Sequence, residues 1–180
     1  MASVPDPSRA NGKRNTQEEA GDQVGGKARK SASGKPFEDY EGALAFLRGR
    51  FNLEQCRPTQ VNAAEVFNLD RMTALMAGLG DPHKLLQTVH VAGSKGKGSV
   101  CEMAAAALQA CGYGVGLFTS PHLVEVTERI RINGREISRE DFTALLERAV
   151  GAAEGLSKKL GEVTYFELLT AVAFLYFADP

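Results

Sequence analysis

A glycine-rich segment that carries a lysine lies in the middle of the chain, in Val89-His90-Val91-Ala92-Gly93-Ser94-Lys95-Gly96-Lys97-Gly98-Ser99. Its glycines let the backbone turn tightly and direct successive N–H groups to one side. Lys97 adds a positive charge, and the helix predicted after the loop adds its electropositive N-terminus. These features favour phosphate binding, and the expected ligand is a nucleoside triphosphate. An ordinary strand-to-helix connection is the alternative interpretation of so short a motif.

The usual phosphate-loop pattern places Ser or Thr directly after the lysine, where the hydroxyl binds Mg²⁺. Here Gly98 separates Lys97 from Ser99. Thr119 and Ser120 follow the next predicted strand, and open α/β sheets bind ligands beyond the carboxyl ends of their strands. Either hydroxyl can therefore supply the missing magnesium ligand, although Thr-Ser-Pro also fits a simple turn.

His122 follows in the same loop, and no second His or Cys lies at metal-ligand spacing from it. A zinc site is therefore not expected. Contact with a substrate and packing within the loop are the two alternatives for this side chain.

Hydrophobic periodicity predicts the elements that position these residues. Apolar β-branched residues predict a buried strand at 89–91, and Asn133-Gly134 predicts the turn of a hairpin. Strands separated by helices imply a parallel sheet in an α/β layer fold. In chain order the predicted elements are a helix that begins near Phe37, a helix over Asp70–Leu79, the strand at 89–91, a helix over Ser99–Cys111, a strand over Gly114–Phe118, a hairpin of Glu128–Ile132 with Arg135–Ile137, a helix capped by Ser138, and a helix over Tyr165–Phe177 that carries one charge, Glu167.

The bulk properties of the 180 residues limit the classes of function. A net charge of −1 argues against nucleic-acid binding, which needs a clustered basic surface. Cys56, Cys101 and Cys111 lack CxxC spacing and are expected to be reduced thiols. The longest apolar stretch, Leu168–Ala178, is too short to cross a bilayer, so we expect a cytoplasmic protein without membrane contact.

Residues 1–36 contain no Leu, Ile or aromatic side chain and are rich in Gly, Ser, Pro and charged residues. Such a composition cannot bury enough apolar surface to offset chain entropy, so the sequence predicts a disordered tail. Residues 37–180 are expected to form one domain, or part of one.

Three motifs in order resemble the folylpolyglutamate synthase and dihydrofolate synthase family, which is related to the Mur ligases. They are His90-Val91-Ala92-Gly93-Ser94-Lys95-Gly96-Lys97-Gly98-Ser99, then Thr119-Ser120-Pro121-His122-Leu123, then Glu128-Arg129-Ile130-Arg131-Ile132-Asn133-Gly134. The resemblance covers roughly Phe37 to the end. It implies a P-loop NTPase-like three-layer fold, with a parallel sheet and flanking helices, as an incomplete Mur-ligase-type ATP-binding domain.

The resemblance also implies an ATP- and magnesium-dependent ligase, expected to be a monomer, that attaches L-glutamate to folate or dihydropteroate. Lys97 is expected to be catalytic, and Ser120 a magnesium ligand. Pro121, His122, Leu123 and Arg129 are expected in a loop that covers folate. Arg129 and Arg131 are expected either to meet carboxylates or to be solvated. The expected ATP-binding residues are Gly93, Ser94, Lys95, Gly96, Lys97, Gly98 and Ser99.

The sequence departs from the family in two respects. Ser94-Lys95 replaces the commoner Thr-Asn, and the chain ends before the strand that carries a metal-bridging glutamate in relatives. By motif position Glu167 is not that glutamate. We therefore expect an N-terminal fragment, inactive by itself, of such a synthase. A Mur-type UDP-muramoyl amino acid ligase and a non-catalytic nucleotide-binding module are the alternatives.

Overall fold

The computed structural model describes residues 35–52 and 69–179. The predicted tail lies almost entirely outside these residues, as does Cys56. In chain order the elements are α1 (Tyr40–Arg48), α2 (Leu69–Gly78), a 3-10 turn (Pro82–Leu85), α3 (Lys97–Ala110), β1 (Gly116–Phe118), a second 3-10 turn (Val126–Arg129), β2 (Ile130–Ile132), β3 (Arg135–Glu136), α4 (Arg139–Glu154), α5 (Ser157–Leu160) and α6 (Tyr165–Ala178).

Four helices, α1, α2, α4 and α6, pack around a common apolar core. Their largest fully buried side chains are Leu47, Leu75, Phe142, Leu146, Leu168, Leu169 and Val172, which Ile130 of the sheet joins. The helices predicted from hydrophobic periodicity in these four segments are therefore confirmed. A core of this kind forms because each helix has an apolar stripe that must be removed from water.

Local sequence signals fix where the core helices begin. The Ser138 hydroxyl accepts a hydrogen bond from the Asp141 N–H at 2.9 Å, which confirms the predicted cap of α4. At the start of α6, Thr164 and Glu167 form a capping box, in which each side chain accepts from the other residue's backbone N–H.

Glu167, the single charge of α6, has a partner on α2. Its carboxylate accepts two hydrogen bonds from Arg71 Nε, at 2.8 and 2.9 Å. Arg71 and Glu167 are 5% and 13% exposed at the side chain. This ion pair is therefore part of the junction between α2 and α6, and both carboxylate oxygens of Glu167 are engaged there.

The sheet of the described residues has three antiparallel strands in the order β1-β2-β3. The predicted hairpin is confirmed, with Asn133 and Gly134 at positive φ angles of 49° and 78° in its turn. A Cβ atom on Gly116 would lie 2.7 Å from the Phe177 ring, so only glycine lets β1 approach α6 this closely.

The expected strand at 89–91 is not observed in the described structure. These residues form no strand, and Val89 is 82% exposed. A strand needs a neighbour to pair its N–H and C=O groups, and none of the described strands pairs with residues 89–91. The observed fold is thus α/β with helices and a small antiparallel sheet, and the expected parallel sheet is not observed in the described residues.

None of the helices in the described ranges is long and apolar enough to cross a membrane.

Candidate functional site

The glycine-rich loop leads directly into α3. The helix begins at Lys97, two residues before the predicted start at Ser99. Gly96 precedes it with a φ of 76°, a left-handed conformation that glycine adopts without strain, and supplies no side-chain cap. The first N–H groups of α3 are therefore not capped by this residue, which is the arrangement that binds anions at helix N-termini.

The Lys97 side chain lies over this loop. Its Nζ atom donates a hydrogen bond to the Gly93 carbonyl oxygen at 2.9 Å. Residues 92–100 are all exposed, and a Cβ atom on Gly98 would meet no other atom within 4 Å. The structure thus brings the predicted ATP-binding residues together in one open loop, with the ammonium group beside exposed backbone.

Thr119 and Ser120 follow β1, where the sequence predicted them. The Thr119 N–H donates to the Arg129 carbonyl at 3.0 Å, and the Ser120–Pro121 peptide bond is cis. Ser120, Pro121 and Leu123 are exposed. No hydrogen bond joins Ser120 to residues 93–99 in the part of the chain that the structure describes.

An ion pair connects the phosphate-loop helix to the hairpin. Arg131 of β2 donates through Nη2 to the Glu102 carboxylate of α3. The side chains of Arg131 and Glu102 are 23% and 51% exposed, so solvent screens this contact in part. This ion pair and the packing of α3 on β1 join the phosphate-loop helix to the sheet.

Arg129 is buried, with 2% of its surface exposed. Its Nε atom donates to His122 Nδ1 at 2.7 Å, and its guanidinium carbon lies 5.7 Å from the centroid of the Tyr165 ring. The predicted strand over Glu128–Ile132 would place Arg129 and Arg131 on one face, but β2 begins only at Ile130. Because Arg129 ends the preceding 3-10 turn, it points to a different environment from Arg131.

Glu128 organises the loop backbone. Its carboxylate accepts hydrogen bonds from the N–H groups of Leu123, Val124 and Glu125 at 2.7, 2.8 and 2.7 Å. These backbone donors, led by Leu123, lower the pKa of the Glu128 carboxyl below its usual value. The path of the loop from His122 to Val126 is therefore held by one acidic side chain.

A cavity of about 280 Å³ lies between α1, this loop and the start of α4. Its lining combines aromatic side chains with both signs of charge. At its edge Arg139 Nε donates to Glu125 at 3.3 Å, and the Arg139 guanidinium lies 5.0 Å from the centroid of the Tyr40 ring. Burial, followed by the charge of Glu125, raises the pKa of Tyr40. The residues that line the cavity include Tyr40, His122, Glu125, Arg139 and Tyr165.

Within the described ranges, no group of three or more His, Cys, Asp or Glu side chains is placed to hold a metal ion. Cys101 and Cys111 are free thiols, as expected. The loops offer hydroxyl oxygens, those of Thr119 and Ser120 after β1 and those of Ser94 and Ser99 in the glycine-rich loop. Such donors suit Mg²⁺, a hard cation that usually keeps several waters or phosphate oxygens in its shell.

The fold is shared with solved folylpolyglutamate synthases. The crystal structure of folylpolyglutamate synthase from Thermotoga maritima matches with a TM-score of 0.66 and 35% identity, over 78% of this chain and 30% of that chain. The structure of E. coli FolC in complex with DHPP and ADP matches with a TM-score of 0.59 and 29% identity, over 79% of this chain and 31% of that chain. No protein-family model matches the chain.

The fold therefore defines the class as folylpolyglutamate synthase-like α/β proteins. Dihydrofolate synthase/folylpolyglutamate synthase of Bacillus subtilis strain 168 is 41% identical over 144 residues, which cover 79% of this chain and 31% of that protein. The chain belongs to the folylpolyglutamate synthase/dihydrofolate synthase family. It spans about a third of the length of this relative.

Sequence reasoning missed several contacts that shape the site. The partner of Glu102 on β2 and the partner of His122 at Arg129 have no local signal, because each contact joins different elements. The role of Glu128, in contrast, did have a local sequence signal. Glu125-x-x-Glu128 has the spacing of a capping box, and Glu128 accepts from the Glu125 N–H.

Proposed function

We propose that the gene product containing this chain is an ATP-dependent ligase that adds L-glutamate to a folate or to dihydropteroate. The observation that carries the proposal is the open Gly93–Ser99 loop, with Lys97 over it at the N-terminus of α3. The curated B. subtilis relative is named for both of these activities. The E. coli structure described above binds ADP together with DHPP.

The reaction proceeds through an acyl phosphate. A carboxylate of the pterin substrate attacks the γ-phosphate of ATP and releases ADP. The amine of glutamate then displaces phosphate and forms the amide. Positioning and electrostatic stabilisation do most of the work in phosphoryl transfer, so Lys97 and the loop N–H groups bind and neutralise the phosphates.

The loop after β1 binds the metal ion and the folate substrate. The Ser120 hydroxyl contributes a ligand for Mg²⁺, which supplies charge neutralisation to the phosphates when it is bound. Pro121, His122 and Leu123 lie against folate. The functional molecule is a monomer in the cytoplasm, and its small-molecule partners are ATP, the folate substrate and glutamate.

The phosphate loop also needs a defined strand before it. We assign residues 89–91 to a parallel sheet with flanking helices in the functional protein. Two observations support this assignment, the exposed β-branched side chain of Val89 and a match that covers about a third of the B. subtilis relative.

The direct test is ATP- and glutamate-dependent extension of tetrahydrofolate and of dihydropteroate by the complete gene product. The expected result is product formation that Lys97→Ala lowers by about 100-fold or more, the size of effect seen when one transition-state donor is removed. Lys84→Ala is the matched control, because it removes an exposed lysine that pairs with Asp81 outside the loop.

The two other functions are outcomes of the same test. Nucleotide binding without extension of any reduced folate would establish a non-catalytic nucleotide-binding module. Turnover of a UDP-muramoyl substrate in place of folate would establish a Mur-type ligase.

A further inference from the structure

The phosphate-loop helix α3 has one polar link to the rest of the fold. Among the described residues, the only side-chain hydrogen bond between α3 and another helix or strand is the one that Arg131 of β2 donates to Glu102. Glu102 is also the only acidic residue of α3, and Ala105 is its only buried one. Because packing anchors so little of this helix, the ion pair at Glu102 is the contact that can fix α3 in one position.

Glu102 lies on the face of α3 that starts at Gly98 in the phosphate loop. Residues four apart lie one above the other on a helix, so Gly98 and Glu102 share a face, and Ala105 continues it three residues later. Since a helix rises about 1.5 Å per residue, Glu102 lies about 6 Å from Gly98 along the axis. The ion pair therefore acts one turn away from the N–H groups that the loop offers to a ligand.

The Arg131 end of the contact lies beside the strand that leads to Thr119 and Ser120. Arg131 of β2 pairs in register with Leu117 of β1. Leu117 is three residues before Ser120 in the chain. The Glu102–Arg131 ion pair thus connects the helix after the glycine-rich loop to the strands that hold the second loop.

Arg131 has Glu102 as its acidic partner. The Arg131 Nε atom is buried and has no hydrogen-bond partner in the described part of the chain. Glu136, the acid opposite Arg131 on β3, accepts a hydrogen bond from the Thr127 hydroxyl at 3.1 Å. Both side chains of the Glu102–Arg131 pair are partly exposed, so loss of the pair costs the fold little. The pair is therefore better suited to fixing the position of α3 than to stabilising the core.

We propose that Glu102 and Arg131 are positioning residues, which hold the Gly93–Ser99 loop at the distance from Ser120 that a nucleoside triphosphate with bound Mg²⁺ requires. The proposal rests on the proposed function, in which the loop binds phosphates and Ser120 binds the metal ion. Neither side chain of the pair touches the nucleotide, since both act through the position of α3. The carboxylate that Arg131 meets belongs to the protein itself.

The binding test compares two ligands of the complete gene product by calorimetric titration. The Mg²⁺ complex of a non-hydrolysable ATP analogue needs both loops, whereas ADP without a metal ion needs only the phosphate loop. Glu102→Arg places a second positive charge beside Arg131 and is expected to weaken binding of the Mg²⁺ complex about tenfold, because small displacements of positioned groups are costly. Affinity for metal-free ADP is expected to stay the same.

A double-mutant cycle separates positioning from general damage. Glu102→Gln and Arg131→Gln are each expected to weaken binding of the Mg²⁺ complex roughly threefold, as for loss of a partly exposed ion pair. The double neutral variant is expected to lose no more than either single variant, since both substitutions remove the same contact. In the Glu102→Arg background, Arg131→Gln removes the repulsion and is expected to raise the affinity again.

Glu147→Gln is the matched control for these variants. It removes an ion pair with Lys35 that lies on α4, outside both loops. Its affinity for either ligand is expected to equal that of wild type. Thermal unfolding of every variant is expected to stay close to wild type, so that a loss of binding does not reflect a loss of folded protein.

Hydrogen exchange tests the position of α3 without a ligand. Local opening raises the exchange of amides in the segment that opens and leaves other segments protected. In the complete gene product, Glu102→Arg is expected to raise exchange in peptides from α3 and to leave peptides from α6 unchanged. Arg131→Gln in the same background is expected to restore part of the protection.

The outcomes distinguish this proposal from the proposed function. Equal losses for the Mg²⁺ complex and for metal-free ADP would overturn the role of the pair in setting the distance between the loops. Wild-type affinity in Glu102→Arg would show that packing alone positions α3. Absence of nucleotide binding by the wild-type protein would instead reject the proposed function, and hydrogen exchange would then decide whether the pair holds α3.

Discussion

The helical core and the phosphate-loop helix differ in how far they bury their apolar side chains. Each of the core helices α1, α2, α4 and α6 buries an apolar stripe in the common core, although Leu69 of α2 and Phe166 of α6 are 81% and 41% exposed. In α3 only Ala105 is buried, whereas Val100, Met103 and Leu108 are 46%, 64% and 41% exposed. Tertiary packing therefore stabilises the core, while α3 depends more on the helix propensity of its alanines.

This difference relates to function. A phosphate site needs backbone N–H groups that a ligand can reach, and such groups cannot lie inside a packed core. The open Gly93–Ser99 loop is attached to the less buried layer through α3, and the Glu102–Arg131 pair joins that layer to the hairpin. The packed helical core thus provides stability, and the open Gly93–Ser99 loop provides ligand access.

Truncation of one apolar side chain in each region gives the largest expected contrast. Leu146→Ala, at a fully buried site of α4, is expected to lower the free energy of unfolding by about 2–5 kcal/mol. Met103→Ala on α3 is expected to change it by less than about 0.5 kcal/mol. Urea denaturation of the chain measures both, and equal losses would show that α3 is packed as tightly as the core.

The ion pairs of the two regions provide the second contrast. Arg71→Met leaves the Glu167 carboxylate buried without its partner and is expected to cost about 3 kcal/mol. Glu102→Gln breaks the partly exposed pair with Arg131 and is expected to cost less than about 1 kcal/mol. Chemical denaturation at low and high salt checks this, since only the Glu102 effect should shrink as salt is added. If Glu102→Gln lowered the free energy of unfolding more than Arg71→Met does, the helical core would not be the main source of stability.

Gly98→Ala separates ligand access from stability. The added Cβ meets no atom in the protein and replaces a helical glycine, so stability is expected to stay equal or rise by up to about 1 kcal/mol. Affinity for an ATP analogue is expected to fall at least about tenfold, because the methyl group obstructs close approach of phosphate to the backbone. Calorimetric titration and thermal unfolding measure the two effects.

Gly151→Ala is the matched control for this variant. Gly151 lies in α4, and a Cβ atom there also meets nothing within 4 Å. The control should therefore show the same gain in stability with unchanged nucleotide affinity. Wild-type affinity in Gly98→Ala would mean that the phosphates do not approach the loop at this position.

The elements that the sequence predicted well are those with local signals. The Ser138 cap and the Asn133-Gly134 turn each depend on residues that lie next to one another in the chain. The helical stripes of α1, α2, α4 and α6 follow from spacing within single segments. Such signals suffice because the same residues make the contact and carry the pattern.

The features that the sequence did not predict depend on distant residues. Residues 89–91 have the composition of a strand, but pairing requires a neighbouring strand that no local pattern specifies. Burial of Arg129 likewise requires both His122 and the Tyr165 ring of α6. A strand over Glu128–Ile132 would place Arg129 and Arg131 on the same face, whereas the 3-10 turn before Ile130 separates them.

The smallest expected effect concerns the loop that connects the two regions. Backbone N–H groups lower the pKa of Glu128 in the folded state, so folding favours its ionised form. The resulting stability is present above the unfolded-state pKa and is lost as pH falls through the lower folded-state pKa. Glu128→Gln is therefore expected to be less stable than wild type at neutral pH, and the difference should vanish in acid.

Thermal unfolding from neutral to acidic pH measures this difference, with Glu38→Gln as the control. Glu38 is exposed, and no hydrogen bond or ion pair of its side chain is observed in the described residues, so its substitution should leave the pH profile unchanged. A Glu128→Gln profile parallel to that of wild type would show that the loop from His122 to Val126 is held by other contacts.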